Sequence, residues 1–297
     1  RSLVVEQLMA TAFQAHPYRR PVIGWMSDLE NMTAQDARDW YQRWYVPNNA
    51  TLVVVGDVDH QAVFKEAAAT YGRVKARPLP VRKPLIEPEQ TGSRRTVVKA
   101  PAELPYVALA WRVPSLRDVK ADSDFYALQV LAAVLDGYEG ARLAKDIVRG
   151  SRIAVTAGAG YDGTARGESL FYLDGAPAAG RTPADVEAAL KAEIERIQNE
   201  GVSEDELRRV KAQAVAGQVY KRDSLMGQAM EIGMDEMVGH SWKDDALMLE
   251  RIRAVTAAEV QAVARKYFRD ETLTVAQLDP LPVDPQARAK TVAPHRH

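Results

Sequence analysis

The alternation of apolar and polar positions divides most of the chain into recognisable elements. Arg95 to Ala100 and Tyr106 to Val113 read as strands, the second so continuously apolar that it suits a strand buried on both faces. The spacing predicts a helix from Lys120 to Asp136, stopped by Gly137, and a shorter one from Gly140 to Arg149. Ile153 to Tyr161 and Glu168 to Gly175 alternate as a hairpin. Thr182-Pro183-Ala184-Asp185 sets a cap and a first-turn proline at the head of a helix reaching about Glu200, and Ser203-Glu204-Asp205-Glu206 is a capping box for the next. Helical segments continue to Gly239 and then to about Ala254. Thr256-Ala257-Ala258-Glu259 opens a last helix that ends near Phe268, before a strand from Thr272 to Leu278. Strands, then helices, then one strand predict an α+β layer, an antiparallel sheet backed by helices on one side.

The earlier part of the chain repeats the end of this pattern. Thr33 caps a helix to Trp44, Val46-Pro47-Asn48-Asn49 stops it, and the β-rich run Ala50 to Val55 follows. At an offset of 223 residues Thr33 meets Thr256, Asp36 meets Glu259, Trp44-Tyr45 meets Tyr267-Phe268 and Thr51 meets Thr274. This is read as an internal duplication of a helix-then-strand unit. About 160 residues separate Arg94 from Thr256 but only 32 precede Thr33, so equal copies imply that roughly 130 residues belong in front of Arg1. The expected fold class is therefore α+β with two homologous domains, the first incomplete. Four prolines between Arg77 and Pro88 exclude a helix or central strand there. The boundaries follow as 1–76 for the later part of the first domain, 77–93 for a Pro-rich linker, 94–280 for the second domain and 281–297 for a tail.

Charge and composition remove several classes of function. Thirty-nine Lys and Arg against 40 Asp and Glu leave a formal net charge of −1, which argues against a nucleic-acid partner. The longest apolar stretch, Tyr126 to Leu135, is too short for a membrane span. With no Cys, thiolate catalysis, Cys-ligated metal and disulfides are all ruled out. The five histidines, His16, His60, His240, His295 and His297, form no metal-binding pair on a helix, and the last two sit in an aperiodic Pro/Ala/Arg tail. Asp59 beside His60 reads as an N-cap for a helix from Gln61 to Tyr71. Gly158-Ala159-Gly160-Tyr161-Asp162-Gly163 fits a dinucleotide loop by letter. A phosphate site needs a helix right after the glycines, whereas Glu168 to Leu173 is strand-like, so a hairpin is expected. Trp40, Tyr41, Trp44 and Tyr45 at helical spacing are expected to pack in a core. The charges of 187–196 and 205–211 are expected to be solvated helix faces. No Walker loop or G-x-S-x-G elbow occurs, and these residues assemble no complete active site.

The run A-F-Q-A-H-P-Y-R-R-P-V-I-G, followed by M-T-A-Q-D-A-R-D-W-Y-Q-R-W-Y-V-P-N-N-A-T-L-V-V-V-G-D-V-D, resembles the inverted-motif zinc peptidases of the pitrilysin/insulinase type, including relatives of mitochondrial processing peptidase. The likeness continues more weakly to about Asp279. It implies two homologous α+β domains in each half of a clamshell, zinc held by an H-x-x-E-H helix and a distal Glu, and peptide added as a strand to a sheet edge. Those ligands lie upstream of the H-P-Y segment in the family, and Arg1 falls just after the distal Glu, so no catalytic or metal residue is assigned in this chain. Zinc is expected in the parent protein and none in these 297 residues. The H-P-Y-R-R-P loop and Gly24 are expected to brace the first sheet near the metal.

Relatives also carry an Arg and a Tyr seven residues apart that hold substrate or the oxyanion. The resemblance sets Val148 and Val155 at those positions, with Arg149 or Arg152 as substitutes after a register shift. Arg149 also suits a plain cation at a helix C-terminus. These four are the candidate substrate-binding residues. The implied function is a zinc metalloendopeptidase at the level of the parent protein, with peptide substrates, a homo- or heterodimeric partner half and a periplasmic location. A non-catalytic scaffold that pairs with a metal-bearing partner is the alternative.

Overall fold

The computed structural model describes residues 1–221 and 223–283. Its centre is a five-stranded sheet of β1 (Arg94–Pro101), β2 (Tyr106–Val113), β3 (Ala154–Tyr161), β4 (Ser169–Pro177) and β5 (Leu273–Leu281), in the order β1-β5-β2-β4-β3. The pairs β5–β2, β2–β4 and β4–β3 are antiparallel as expected. The edge pair β1–β5 is parallel instead, because a long helical excursion separates the two strands and returns the chain in the same direction. Val155 has no partner across the β3–β4 pairing, where the register shifts between Ala154 and Thr156.

One face of the sheet carries α5 (Ser123–Asp136), α6 (Pro183–Glu200), α7 (Glu204–Lys221) and a last helix, Ala257–Tyr267, in a single apolar cluster that includes Leu109, Leu131, Phe171, Leu190, Val263 and Phe268. The opposite face, for which the sequence pattern named no covering element, carries α1 (Ser2–Ala12). Val4, Leu8, Ala12 and Phe13 pack there on Tyr106, Ala108, Leu170, Ala276 and Leu278. Each larger side chain so buried contributes about 1.5–3 kcal/mol. This second layer explains why β2 is buried almost throughout.

Helix starts follow local hydrogen bonding. The helix expected from Lys120 begins at Ser123, because the Asp118 and Asp122 carboxylates accept the backbone N–H groups of residues 117, 118, 120 and 121 in turns. Thr182 and Thr256 each form a capping box, with Asp185 and Glu259 respectively. The segment expected to be helical from Gly140 becomes a π-helix, Leu143–Gly150.

Before the sheet lie α2 (Met26–Asn31), α3 (Ala34–Trp44) and α4 (His60–Thr70), and no secondary structure is assigned between Val74 and Ser93. Thr33 caps α3 with Asp36, and Asp59 caps α4 through the N–H groups of Gln61 and Ala62. Two expectations fail here for one reason. Ala50 to Val55 is assigned no strand, since among the described residues no strand pairs with it. The aromatic face of α3 is open rather than core: Trp40, Tyr41 and Tyr45 are 61%, 59% and 65% exposed. The rings meet one another instead, Tyr41 stacked on Tyr45 and Trp40 tilted against Trp44.

The remaining helices are α8 (Leu225–Val238), α9 (Asp245–Ala254) and α10, the Ala257–Tyr267 helix named above. At the offset of 223 the two helices share their local features. Both α3 and α10 have 11 residues and a capping box. Each is followed by a 3-10 turn, Pro47–Asn49 or Asp270–Thr272, and an extended segment. The side chain of Asn49 donates to the Trp44 carbonyl as that of Thr272 donates to the Tyr267 carbonyl. Positions 40, 41, 45 and 52, all exposed, correspond to Val263, Ala264, Phe268 and Val275, all buried. The expected solvated charges of 187–196 are partly recruited to packing: Glu193 is buried, and Arg196 bridges it to Asp146. His295 and His297 lie outside the described residues.

Candidate functional site

The four candidate residues surround one irregular corner. Ser151 N–H reaches the carbonyl of Asp146, five residues back, which closes the π-helix. Arg152 then takes φ 52, a left-handed value unusual for a side-chain-bearing residue, and the bulge at Val155 bends the start of β3. π-Turns, bulges and left-handed residues concentrate where a chain presents groups to a ligand. Val148 is half-buried, Arg149 and Arg152 are exposed, and Val155 is 47% exposed on the edge strand. Arg149 donates to the Glu139 carbonyl at 2.5 Å in the last turn of the π-helix. Val148 and Val155 carry no side-chain hydrogen-bond donor, so the donors at this corner are the guanidinium groups of Arg149 and Arg152.

Beside this corner β3 forms a sheet edge. Gly160 is glycine because the Tyr172 ring occupies the space a Cβ would need. Gly158 lies between the carboxylates of Asp174 and Asp136. Asp136, at the end of α5, accepts the Ala159 N–H at 3.1 Å and caps part of the edge. Its carboxyl is pushed above the usual range by burial, aided by the charge of Asp174 and opposed by that hydrogen bond. The Tyr106 and Tyr172 phenols are pushed up by burial and by Asp174, which keeps both neutral. A cavity of about 530 Å³ between α1 and the β4 side of the sheet is lined by Phe13, Tyr18, Tyr106, Leu170, Tyr172 and Asp174, among others. Sequence reading missed Asp136 and Asp174, because only the sheet pairing brings them to one glycine.

The H-P-Y segment packs against the second domain's sheet region. It docks on the β3–β4 loop, where a Cβ at Gly167 would overlap the His16 imidazole and the Tyr18 hydroxyl accepts the Arg166 N–H at 3.0 Å. The Glu87 carboxylate accepts three consecutive N–H groups, from Gln14 (2.6 Å), Ala15 (2.7 Å) and His16 (2.8 Å), with Arg112 at 3.4 Å. Arg94 donates to the carbonyls of Thr11 and Ala12 at the end of α1. Linker and sheet thus clamp the chain that leaves α1. A lone acid within a Pro-rich stretch gave no signal of this role.

Among the described residues no group of three or more His, Asp or Glu side chains is placed to hold a metal ion. The donor set of the described residues therefore does not fit a zinc centre. A turn rather than a helix follows Gly163, which excludes the dinucleotide-loop reading. No helix among the described residues is long and apolar enough to cross a membrane.

A family model described as the peptidase M16 inactive domain matches residues 31–214. The zinc protease PqqE of Helicobacter pylori is 29% identical over 280 residues, covering 91% of this chain and 60% of that protein. The probable mitochondrial-processing peptidase subunit beta of Arabidopsis thaliana is 23% identical over 290 residues, covering 94% and 53%. A crystal structure of a protease from Helicobacter pylori matches with a TM-score of 0.86 at 25% identity, over 94% of this chain and 67% of that one. The peptidase M16 inactive domain from Pseudomonas fluorescens shares the fold, with a TM-score of 0.80 at 15% identity over 95% and 66%. The chain spans about three-fifths of the length of its first curated relatives. With the family model matching well over half its residues, and the H-P-Y signature and helix-backed sheet in place, this chain belongs to the peptidase M16 family.

Proposed function

We propose that this chain is the later part of one half of a zinc-dependent metalloendopeptidase that encloses peptides or unfolded segments in a clamshell. In this reading residues 1–76 finish a first domain whose upstream portion holds the zinc and its general base. Residues 77–93 are the linker, and 94–280 form a second, homologous domain that serves as a substrate-holding wall. The observation that carries it is the mismatch between the copies. Leu52 is 59% exposed and its counterpart Val275 is 1% exposed, so the first copy has a core face with nothing on it. Leaving several large apolar side chains in water gives up about 1.5–3 kcal/mol each, which a complete first domain recovers.

The chain's own contribution is binding. Backbone groups of the β3 edge can pair with an extended peptide, and Val148, Arg149, Arg152 and Val155 flank its bulged end. A periplasmic location accompanies this reading, supported by the fold shared with the periplasmic protease PqqL of Escherichia coli. A non-catalytic scaffold paired with a metal-bearing partner half is the second reading. It is favoured by valines at the two positions where catalytic relatives carry Arg and Tyr.

The test compares this chain with the same chain preceded by its native upstream sequence. The present chain is expected to bind no stoichiometric zinc and to hydrolyse no unfolded peptide. The extended one is expected to bind one zinc and cleave. Tightly held zinc in the present chain overturns the assignment of the metal site, and an extended chain without zinc selects the scaffold.

A further inference from the structure

Arg142, which leads into the π-helix, is the one Arg or Lys buried among the described residues, at 9% exposure. Most of its guanidinium is satisfied. Nε donates to Glu206 Oε1 at 2.7 Å, and Nη2 donates to Glu206 Oε2 at 2.9 Å and to the Gly201 carbonyl at 3.2 Å. Nη1 is buried and has no partner. Glu206 has little capacity left for it, because its Oε2 also accepts the backbone N–H and the hydroxyl of Ser203, at 2.9 and 2.8 Å. A charged N–H group taken out of water without an acceptor carries an unrecovered desolvation cost, and an oxyanion is the group that best removes it.

Arg142 lines a cavity of about 530 Å³ between the π-helix, the end of α6 and the start of α7. Its walls also carry the cations Lys145, Arg196 and Arg209, set against the carboxylates of Asp146, Glu200 and Glu206. Two of those acids are already neutralised. Arg142 holds the Glu206 carboxyl down to about 2, and Arg196 pairs with Asp146 at 2.6 Å. Lys145 and Arg209 are exposed and have no ion-pair partner among the described residues, so Glu200 is the one acid left to oppose them. The first turn of α7 borders the same space, and a helix N-terminus favours negative charge. Donors therefore come from three places: the chain ahead of the π-helix, the π-helix itself and α7. That spread suits the several acceptor oxygens of a phosphoryl group, and the volume leaves room for a small organic body attached to it.

We propose that this cavity binds a phosphoryl oxyanion, free or as a small monoester, through Arg142 Nη1, Lys145 and Arg209. Lys145 stands on the π-helix and Arg209 on α7, so the bound anion ties the two together. The π-helix leads into Arg152 and Val155, and occupancy thereby steadies the corner assigned above to peptide. That consequence rests on the proposed function, whereas the anion site does not.

Isothermal titration calorimetry of the present chain with inorganic phosphate and with glycerol 3-phosphate, each against sodium chloride of matched ionic strength, tests the site. Saturable binding of one equivalent is expected. Tighter binding of glycerol 3-phosphate identifies a phosphorylated small molecule as the occupant, and tighter binding of phosphate identifies the free ion. Lys145→Ala and Arg209→Ala should each weaken binding about tenfold, and Glu200→Gln should strengthen it about threefold. The guanidinium nitrogen resonances of Arg142 should shift on saturation, while those of Arg208, paired with Asp205 at the surface, should not. The Ser151 N–H, which closes the π-helix on the Asp146 carbonyl, should exchange with solvent about threefold more slowly. Heats no larger than those in chloride, or an affinity indifferent to all three substitutions, overturn the site. Binding with Ser151 exchange unchanged keeps the site and overturns the steadying of the corner. None of these readouts involves zinc or peptide hydrolysis, so the site stands or falls apart from the catalytic reading.

Discussion

Replacing Glu87 with alanine tests whether the linker clamps the segment after α1. Its carboxylate is almost fully buried and satisfies three backbone N–H groups in a row, while Arg112 lies at 3.4 Å. Each lost hydrogen bond costs about 1 kcal/mol net, and more where the acceptor is charged, so Glu87→Ala should weaken the clamp by about 3–4 kcal/mol. Opening of residues 13–20 then becomes roughly 140- to 700-fold more frequent, by the conversion of about 1.4 kcal/mol per tenfold. Trypsin reads this directly, because the Arg19–Arg20 bond lies in the released segment. Cleavage there should accelerate by about that factor at neutral pH.

The pH dependence adds an independent check. Burial alone would raise the Glu87 pKa, yet the N–H groups and Arg112 outweigh it and hold the carboxyl below its ordinary value of 4.5. A depressed acid stabilises the fold above its unfolded pKa, and that contribution fades as pH falls through the folded value. The difference in melting point between wild type and Glu87→Gln should therefore be largest near pH 7 and shrink below about pH 4. Cleavage unchanged within threefold, or a melting difference independent of pH, would refute the reasoning.

Other expectations follow from single side chains. Burial first, then the charge of Asp245, pushes Asp235 up to about 6. A raised acid penalises the fold as pH climbs from about 4 to 6, so Asp235→Asn should stabilise by about 1–2 kcal/mol at pH 8 and by nothing below pH 4, in urea unfolding across that range. Gly160→Val drives a side chain into the Tyr172 ring and should cost about 1–3 kcal/mol in the same assay. Gly217→Ala, in α7 with open space around it, should instead gain about 0.5–1 kcal/mol.

Much of the fold was legible because its signals are local. Capping boxes at Thr33, Thr182 and Thr256 depend on residues three apart, and all form. The run from Tyr106 to Val113 announced two-sided burial, although the layer on its second face comes from a helix about 100 residues earlier, which no pattern around β2 reveals. Periodicity also cannot say whether an apolar face finds a partner. Trp40 and Val263 sit at equivalent positions on equivalent helices, one in water and one in the core, and only tertiary neighbours distinguish them. At the candidate site the sequence pointed to the corner holding Arg149 and Arg152, while the carboxylates meeting at Gly158 depend on strand register and on where α5 ends.

The most direct measurement is amide hydrogen exchange at residues 51–55 against 274–278, in the present chain and in the chain with its native upstream sequence. The duplicated, half-open arrangement predicts that in the present chain 51–55 exchange within seconds while 274–278 are protected close to the global limit. In the extended chain both segments should be protected alike. Slow exchange at 51–55 in the present chain, or fast exchange there in the extended one, would contradict it.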